Sequence, residues 1–201
     1  MSRFAEAVTD IAAQGWTVKK DFLPLAAIAA LRAEAERLRQ DDEFRSAGIG
    51  RSGGYALRPD IRGDRIRWLD EQTPTPAQKV YWEAIEELRQ ELNRELFLSL
   101  AMFEAHLAVY PPGAFYQKHL DRFSDADERL ISCTLYLNEN WRAEAGGQLR
   151  LYLPEGSVDV LPEAGTCALF RSDSFFHEVL PATETRFSLT GWFRRRSLKL
   201  L

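Results

Sequence analysis

Residues 148–161 read Gln-Leu-Arg-Leu-Tyr-Leu-Pro-Glu-Gly-Ser-Val-Asp-Val-Leu, two short apolar runs separated by Pro and Gly. Short apolar runs recur after Leu98, with Gly, Pro, Asn and Asp between them, at residues 103–110, 130–137, 148–153, 158–161, 166–170, 176–180 and 186–193. Several short strands with turn residues at this spacing are typical of an antiparallel sandwich or barrel such as a jelly roll. The pattern therefore predicts an antiparallel core over residues 101–194, in the form of a sandwich or a barrel such as a jelly roll.

The first 100 residues differ from the rest because their apolar residues recur at helical spacing. This spacing predicts helices over residues 4–13, 24–39 and 76–96, with a strand at residues 16–19. The region 44–68 is rich in glycine and interrupts the pattern, which predicts a mobile excursion or hairpin. Helices followed by strands indicate an α+β fold rather than an alternating α/β fold. Residues 1–100 are predicted to support the jelly-roll core.

Length and composition favour a single domain over residues 1–201. The chain has 201 residues, 45% of them hydrophobic, which suffices for one sizeable core. A net charge of −4, with 28% charged residues of both signs, argues against a nucleic-acid partner. No stretch suits a secretory signal or a membrane span, so we expect no membrane partner. Cys133 and Cys167 lie in apolar segments, which suits free thiols and predicts a cytoplasmic protein.

His119, Asp121 and His177 form the candidate metal site. Residues i and i+2 of a strand point to the same face, so His119 and Asp121 would converge on one point. Sheet packing could bring His177, in the run 176–180, beside them. Two histidines and one carboxylate with open positions suit iron(II), whereas a closed zinc site needs a fourth protein ligand. The His-x-Asp pair alone is weak evidence, because a histidine beside an acid is usually a solvated surface pair.

Arg186 begins an apolar strand nine residues after His177 and shares a strand face with Ser188. A guanidinium can bind a carboxylate through two parallel hydrogen bonds, and a nearby hydroxyl can add a third. Without the metal triad, Arg186 would simply be an arginine at the end of a surface strand. Beside the triad, the pair predicts an anchor for a dicarboxylate.

The segment Tyr110-Pro-Pro-Gly-Ala-Phe-Tyr116-Gln-Lys-His119-Leu-Asp121 resembles the Tyr-x-x-Gly-x-x-Tyr-x-x-His-x-Asp signature of 2-oxoglutarate-dependent prolyl 4-hydroxylases. The same family order continues through Arg129 and residues 135–138, 146–150, 177–179, 186 and 192, so the resemblance covers roughly residues 103–194. Upstream, residues 61–68 resemble a segment of the prolyl hydroxylases that act on hypoxia-inducible factor, and of their bacterial relatives. In that branch a mobile hairpin covers the active-site mouth, which would correspond to residues 44–68 here.

The resemblance implies an Fe(II)- and 2-oxoglutarate-dependent dioxygenase that consumes O2 and releases succinate and CO2, with ascorbate as an optional reductant. It also implies that the core is a double-stranded β-helix (jelly roll). It assigns iron to His119, Asp121 and His177. It assigns the distal carboxylate of 2-oxoglutarate to Arg186 with Tyr136 and Ser188, and places Tyr110 nearer the metal-bound end. For each tyrosine taken alone, core packing is the more common role.

Substrate binding is predicted for a further group of residues, namely Arg62, Asp64, Arg129 and Trp192. A core tryptophan is nearly as common an explanation of Trp192. His106 lies outside the signature and is predicted to be a packed or hydrogen-bonded histidine rather than a ligand. Apolar walls that exclude water from the site are expected from Leu135, Leu151, Leu169 and Leu189.

Three functions remain open at this stage. The first is hydroxylation of a prolyl residue in a protein substrate, for which the bacterial relatives make a translation elongation factor the first candidate. The second is hydroxylation of a free amino acid or another small molecule, which would require a smaller, closed pocket. The third is a sensor that binds metal and 2-oxoglutarate without turnover. The oligomeric state is left open.

Overall fold

The computed structural model describes residues 2–48, 56–121 and 128–196. Within these ranges the helices are α1 (Ala5–Gln14), α2 (Leu25–Gln40) and α3 (Pro76–Leu96), and a 3-10 helix spans Ala143–Ala145. The strands are β1 (Trp16–Lys19), β2 (Arg45–Ser46), β3 (Arg65–Trp68), β4 (Leu100–Tyr110), β5 (Tyr116–His119), β6 (Arg129–Tyr136), β7 (Leu149–Leu153), β8 (Gly156–Val160), β9 (Cys167–Arg171), β10 (His177–Val179) and β11 (Arg186–Arg195).

The strands form two sheets whose neighbouring strands are antiparallel. The major sheet has the order β1-β9-β6-β11-β4-β3-β2, and the minor sheet has the order β5-β10-β7-β8. The central strands β9, β6, β11 and β4 lie opposite β8, β7, β10 and β5, which is the strand arrangement of a jelly roll. The predicted α+β fold with a jelly-roll core is therefore confirmed. Strand β1 extends one edge of the major sheet, and β3 with β2 extends the other.

The two faces of the major sheet carry different residues because side chains alternate along each strand. On β11, Phe187, Leu189 and Phe193 point outward and join the core that includes the helices. The face toward the minor sheet carries Tyr110 of β4 and Tyr136 of β6, which pack with apolar residues of the minor sheet, Leu149, Leu151, Val160 and Val179. The outer face builds the helical core, and the inner face lines the space between the sheets.

Four leucines were expected to form the apolar walls of the site, and the prediction is wrong for three of them. Leu135, Leu169 and Leu189 belong to the outer core with the helices. Leu151 alone of the four lies with the tyrosines between the sheets. The reason is strand alternation, since Leu135 precedes the inward residue Tyr136 and must therefore point outward.

Helix α3 shows why these segments become helices. Thr75 caps its first turn by accepting a hydrogen bond from the backbone N–H of Gln78, and Pro76 occupies a first-turn position that needs no donor. One face is buried against the major sheet, with Tyr81, Trp82, Ile85, Leu88 and Leu92. Burial of this face, at about 25 cal/mol per Å2 of apolar area, fixes the helix on the sheet.

The predicted helices agree with the observed ones to within about one residue at each end, and the strand at residues 16–19 is confirmed. The predicted excursion at 44–68 begins and ends as a hairpin, in which Arg45 pairs with Ile66 and Ser46 with Arg65. Its glycine-rich part, residues 49–55, lies outside the described residues, so its mobility stays a prediction. Strand β5 was not among the predicted apolar runs, because its residues are mostly polar.

Two further predictions concern cysteines and membranes. Cys133 and Cys167 are buried free thiols, as predicted, with their Sγ atoms 3.5 Å apart on neighbouring strands. No helix in the described ranges is both long and apolar enough to cross a membrane.

Asn138 joins three parts of the fold from a fully buried position. Its side-chain amide donates to the carbonyls of Pro162 and Phe187, and its oxygen accepts from the Phe187 N–H and from Arg32. Only 2% of the residue is exposed. These bonds attach α2 and the loop before β9 to the start of β11.

Asn138→Ala is expected to lower the free energy of unfolding by about 2–4 kcal/mol, because it removes the side-chain partners of the Pro162 carbonyl and the Phe187 N–H. Chemical denaturation monitored by circular dichroism measures the change. The matched control is Glu139→Ala at the next, exposed position, which should change stability by less than about 0.5 kcal/mol. A loss below about 1 kcal/mol for Asn138→Ala would contradict this account.

Candidate active site

His119, Asp121 and His177 meet at one end of the minor sheet. His119 ends β5 and pairs directly with His177 at the start of β10. Asp121 follows two residues after His119, and its carboxylate oxygens lie 3.7 Å from His119 Nε2 and 3.6 Å from His177 Nε2. The three ligand atoms all lie within 4.8 Å of one another. The structure thus brings together the three residues predicted to hold a metal.

Backbone carbonyls orient both imidazole rings. His119 Nδ1 lies 2.7 Å from the carbonyl oxygen of Gln117, and His177 Nδ1 lies 3.1 Å from that of Phe175. A carbonyl can only accept, so each Nδ1 carries the proton and each Nε2 presents a lone pair. The ring of Tyr116 stacks on His119 with the ring centroids 3.6 Å apart, which holds that ring in place. This is the tautomer that a metal ligand requires.

Electrostatics keep the triad ready for a cation. Burial, followed by the neighbouring His177, lowers the pKa of His119 to about 3, so its ring is neutral at pH 7. Burial alone would raise the pKa of Asp121, but the two histidines and the Ser132 hydroxyl outweigh it and lower that pKa to about 2. A neutral imidazole and an ionised carboxylate are the forms that bind a divalent metal.

Ser132 supports the carboxylate ligand and was not identified from the sequence. Its hydroxyl donates to Asp121 Oδ2 over 2.6 Å and contacts the hydroxyl of Ser172 at 2.9 Å. It lies on the inner face of β6, two residues from Thr134 and four from Tyr136. A serine on a buried strand has no sequence signature of its own, so only the three-dimensional contact reveals it.

Ser132→Ala is expected to weaken Fe(II) binding about tenfold, because partners that orient metal ligands typically contribute at least that much to affinity. Anaerobic titration with Fe(II), or with Co(II) as a spectroscopic probe, measures the change. Thr134→Val is the control, since it removes a hydroxyl from the same face that is not a hydrogen-bond partner of Asp121. If Ser132→Ala and the unmodified chain bound Fe(II) with equal affinity, Ser132 would have no role in metal binding.

Arg186 lies on the inner face with only 1% of its surface exposed. Its Nε donates to the carbonyl of Gly147 over 2.9 Å, and its Nη1 lies 3.5 Å from the hydroxyl of Ser188. Gly147 has a φ of +72°, and a Cβ there would lie 3.3 Å from Arg186 Cδ, so a glycine suits this close approach. Across the described ranges, no carboxylate lies within 4.0 Å of the Arg186 guanidinium.

The surroundings of Arg186 fit a dicarboxylate. Its guanidinium lies over the rings of Tyr110 and Tyr136, at 4.9 and 5.0 Å from their centroids. The Tyr136 hydroxyl is buried beside the Arg186 guanidinium and makes no hydrogen bond of standard geometry among the residues that the structure describes. Burial raises the pKa of both tyrosines, so their hydroxyls stay protonated and can donate. A buried cation without a counter-ion is costly, and an entering carboxylate would offset that cost.

The predicted substrate residues lie around the triad in two groups. Arg62 makes two bonds of 2.7 and 2.6 Å to the buried Asp64, and its guanidinium lies 4.3 Å over the Tyr116 ring that stacks on His119. Arg129 bonds Glu104 and lies 3.7 Å over the ring of Trp192. Their contact with substrate stays a prediction. The ion pair between Arg62 and Asp64 was not predicted from the sequence.

The sequence profile of the 2OG-Fe(II) oxygenase superfamily matches residues 105–194. A prolyl-4-hydroxylase from Pseudomonas putida, known from a crystal structure, is 47% identical, with a TM-score of 0.88 over 96% of this chain and 100% of that chain. The chain belongs to the 2OG-Fe(II) oxygenase superfamily. The family resemblance predicted from residues 110–121 is confirmed.

Two further relatives of this oxygenase come from animals. A prolyl hydroxylase from Trichoplax adhaerens, solved with a peptide of hypoxia-inducible factor, is 26% identical, with a TM-score of 0.85 over 96% of this chain and 89% of that chain. Human Egl nine homolog 1 is 32% identical over 142 residues, which cover 67% of this chain and 33% of the human protein. The oxygenase thus spans about a third of the length of that curated relative.

Proposed function

We propose that this oxygenase hydroxylates a prolyl residue in a protein substrate, using Fe(II), 2-oxoglutarate and O2 and releasing succinate and CO2. The observation that carries the proposal is the 47% identity to a prolyl-4-hydroxylase over that protein's whole length, in a chain that keeps the His-Asp-His triad together. Ascorbate would serve as an external reductant. We place the reaction in the cytoplasm, where buried free thiols such as Cys133 and Cys167 persist.

Each site residue has a proposed role that its surroundings support. His119, Asp121 and His177 would hold iron through two imidazole Nε2 atoms and one carboxylate. Arg186 binds the distal carboxylate of 2-oxoglutarate, which the Tyr136 and Ser188 hydroxyls also contact, while Tyr110 lies toward the metal-bound end. Iron with 2-oxoglutarate supplies the oxidising power that converts a C–H bond to an alcohol. The protein provides binding, orientation and exclusion of water.

The apolar residues between the two sheets exclude water from the site. This inner cluster consists of Ala108, Tyr110, Tyr136, Leu149, Leu151, Val160, Ala168, Phe170, Phe175 and Val179. Phe170 packs edge-on against His177 with the ring centroids 4.7 Å apart. Leu151 and Val179 close the space between the sheets beside Tyr110. A dry, low-dielectric site strengthens the Arg186 ion pair and protects a reactive oxidant from side reactions.

A polypeptide substrate is favoured by the rim of the site. Arg62, Asp64, Arg129 and Trp192 are proposed to contact it, together with the excursion at 44–68. The Trichoplax relative was solved with a peptide fragment, which supports a polypeptide over a free amino acid. We propose residues 101–194 as the catalytic core and residues 1–100 as its support within one domain. A translation elongation factor is our first candidate substrate, by resemblance to bacterial relatives.

The decisive experiment compares free proline, a capped prolyl peptide and an intact elongation factor at equal oxygen concentration, with Fe(II), ascorbate and 2-oxoglutarate. Mass spectrometry should find one added oxygen atom on proline in a polypeptide, with succinate formed in equal amount. A peptide with Ala in place of Pro is the control. Faster turnover of free proline than of every polypeptide would favour an enzyme that hydroxylates a small molecule. Binding of 2-oxoglutarate without formation of succinate would favour a sensor without turnover.

A further inference from the structure

His106 lies on the catalytic face of the major sheet, although it is neither a metal ligand nor part of the signature. It pairs in register with Thr190 of β11 and with Trp68 of β3. Its neighbours Ala105 and Leu107 belong to the outer core, whereas Ala108 and Tyr110 belong to the inner cluster. By strand alternation the imidazole therefore projects from the same face as Arg186.

Two tryptophans enclose the His106 ring. Trp68 meets it edge-on with centroids 4.9 Å apart, and Trp192 lies at 5.5 Å on a tilted plane. His106 is only 4% exposed, while Trp68 is 46% exposed. The three rings therefore form a wall that runs from the solvent edge at β3 into the interior.

One nitrogen of this buried ring has no hydrogen-bond partner. His106 Nδ1 contacts no donor or acceptor among the residues that the structure describes. A buried polar atom without a partner costs about 1–3 kcal/mol, and an entering hydrogen-bonding ligand would remove that cost. Burial, with help from Arg62 and Arg129, lowers the pKa of His106 to about 3, so the ring is neutral at pH 7. A neutral ring offers one donor and one acceptor.

The position of His106 separates it from the anchor for 2-oxoglutarate. Its register partner Thr190 lies four residues along β11 from Arg186, a distance of about 13 Å in an extended strand. Toward the other end, Trp192 pairs with Ser132, whose hydroxyl holds Asp121. His106 thus lies near the metal end of the sheet, beside Trp192.

We propose that His106 is a substrate-binding residue that donates a hydrogen bond from Nδ1 to a backbone carbonyl of the polypeptide next to the target proline. This inference rests on the proposed function. The peptide bond that precedes a proline has no N–H, so a carbonyl is the polar group it offers. Nδ1 is buried in the free protein, so the carbonyl reaches it only when a neighbouring ring turns aside, for which the 46% exposed Trp68 is placed. Trp192 then packs beside the carbonyl and shields the bond from water. Free proline lacks this peptide carbonyl and would bind less well.

The first test observes the ring directly by 15N NMR of histidine-labelled protein. The chain has three histidines, so His119→Ala and His177→Ala variants assign the signals of the third. The full chain is loaded with Zn(II) and 2-oxoglutarate, which prevents turnover, and titrated with acetyl-Ala-Pro-Ala-amide. The His106 ring nitrogens should shift with saturation. Ring signals that do not move, up to the solubility limit of the peptide, would overturn the proposal.

The second test uses two variants with opposite hydrogen-bonding ability. His106→Phe keeps a planar ring but removes both nitrogens, and should raise the KM for the capped peptide about tenfold. His106→Gln retains a donor and should recover most of that loss. The KM for 2-oxoglutarate should move less than about twofold in both, and thermal melting checks that each variant is folded.

The outcomes separate this inference from the proposed function. Hydroxyproline formed by the unmodified chain, with an unchanged peptide KM in His106→Phe, would refute the role of His106 alone. The role of His106 would also be refuted if His106→Phe raised the KM for 2-oxoglutarate and left the KM for the peptide unchanged. No hydroxyproline from any prolyl polypeptide would refute the proposed function, and the His106 assignment with it.

Discussion

Replacing His119, Asp121 or His177 by alanine, one at a time, will abolish succinate production and lower Fe(II) affinity by more than about 100-fold. Each variant removes one of three ligand atoms that lie within 4.8 Å of one another. The loss should be largest for Asp121→Ala, because that carboxylate supplies the only negative charge of the triad. Anaerobic Fe(II) titration measures the affinity, and succinate quantification measures turnover.

Glu178→Gln is the matched control for the triad. Glu178 directly follows His177, but its carboxylate accepts a hydrogen bond from the Tyr152 hydroxyl on the other face of the minor sheet. The Glu178→Gln variant should bind Fe(II) with unchanged affinity. That result would show that a carboxylate next to a ligand in sequence does not itself contribute to iron binding. Normal succinate production by His119→Ala together with its loss in His106→Ala would show that the ligand assignment is wrong.

Arg186→Ala is expected to weaken 2-oxoglutarate binding by at least about 30-fold, since truncating one partner of a buried ion pair costs about 2–5 kcal/mol. Arg186→Lys should recover little, because an ammonium cannot make two parallel bonds to a carboxylate. Isothermal titration of the Zn(II)-loaded protein measures the affinity. Ligand-induced stabilisation is a second readout, in that 2-oxoglutarate should raise the Tm of the unmodified protein but not of the variant.

Arg150→Ala tests whether the effect is specific to Arg186. Arg150 forms two bonds with Asp159 on neighbouring strands of the minor sheet and is partly exposed. Removing the Arg150 side chain should change the affinity for 2-oxoglutarate by less than about twofold relative to the unmodified protein, as expected for an exposed ion pair. An unchanged affinity in Arg186→Ala would show that the dicarboxylate binds elsewhere.

Much of the fold could be predicted because its local signals agree with its tertiary structure. Pro76 and Thr75 mark the start of α3, and short apolar runs mark most strands of the jelly roll. His119 and Asp121 could be paired from sequence because they lie two residues apart, at and just beyond the end of β5. Connecting His177 to them required a sheet pairing that no local pattern contains, so the family signature carried that step.

The remaining features depend on side-chain contacts that no sequence pattern records. Leu135 and Leu189 point away from the site, contrary to expectation. Strand alternation relative to Tyr136 and Arg186 already places them on that face. The Ser132–Asp121 bond and the Arg62–Asp64 pair required coordinates, since one joins different segments and the other depends on local backbone geometry. His106 was correctly expected to be packed, but its unpaired nitrogen is visible only once Trp68 and Trp192 are placed around it.

The two-sided major sheet has a consequence for how this chain tolerates change. Along β11, Phe187, Leu189 and Phe193 determine whether the protein folds, whereas Arg186, Ser188 and Trp192 face the reaction space. A saturation library of this strand should therefore give two fitness profiles in opposite phase, one for abundance in the cell and one for turnover per folded molecule. New substrate preferences can then arise at every second position while the helical side of the sheet stays the same.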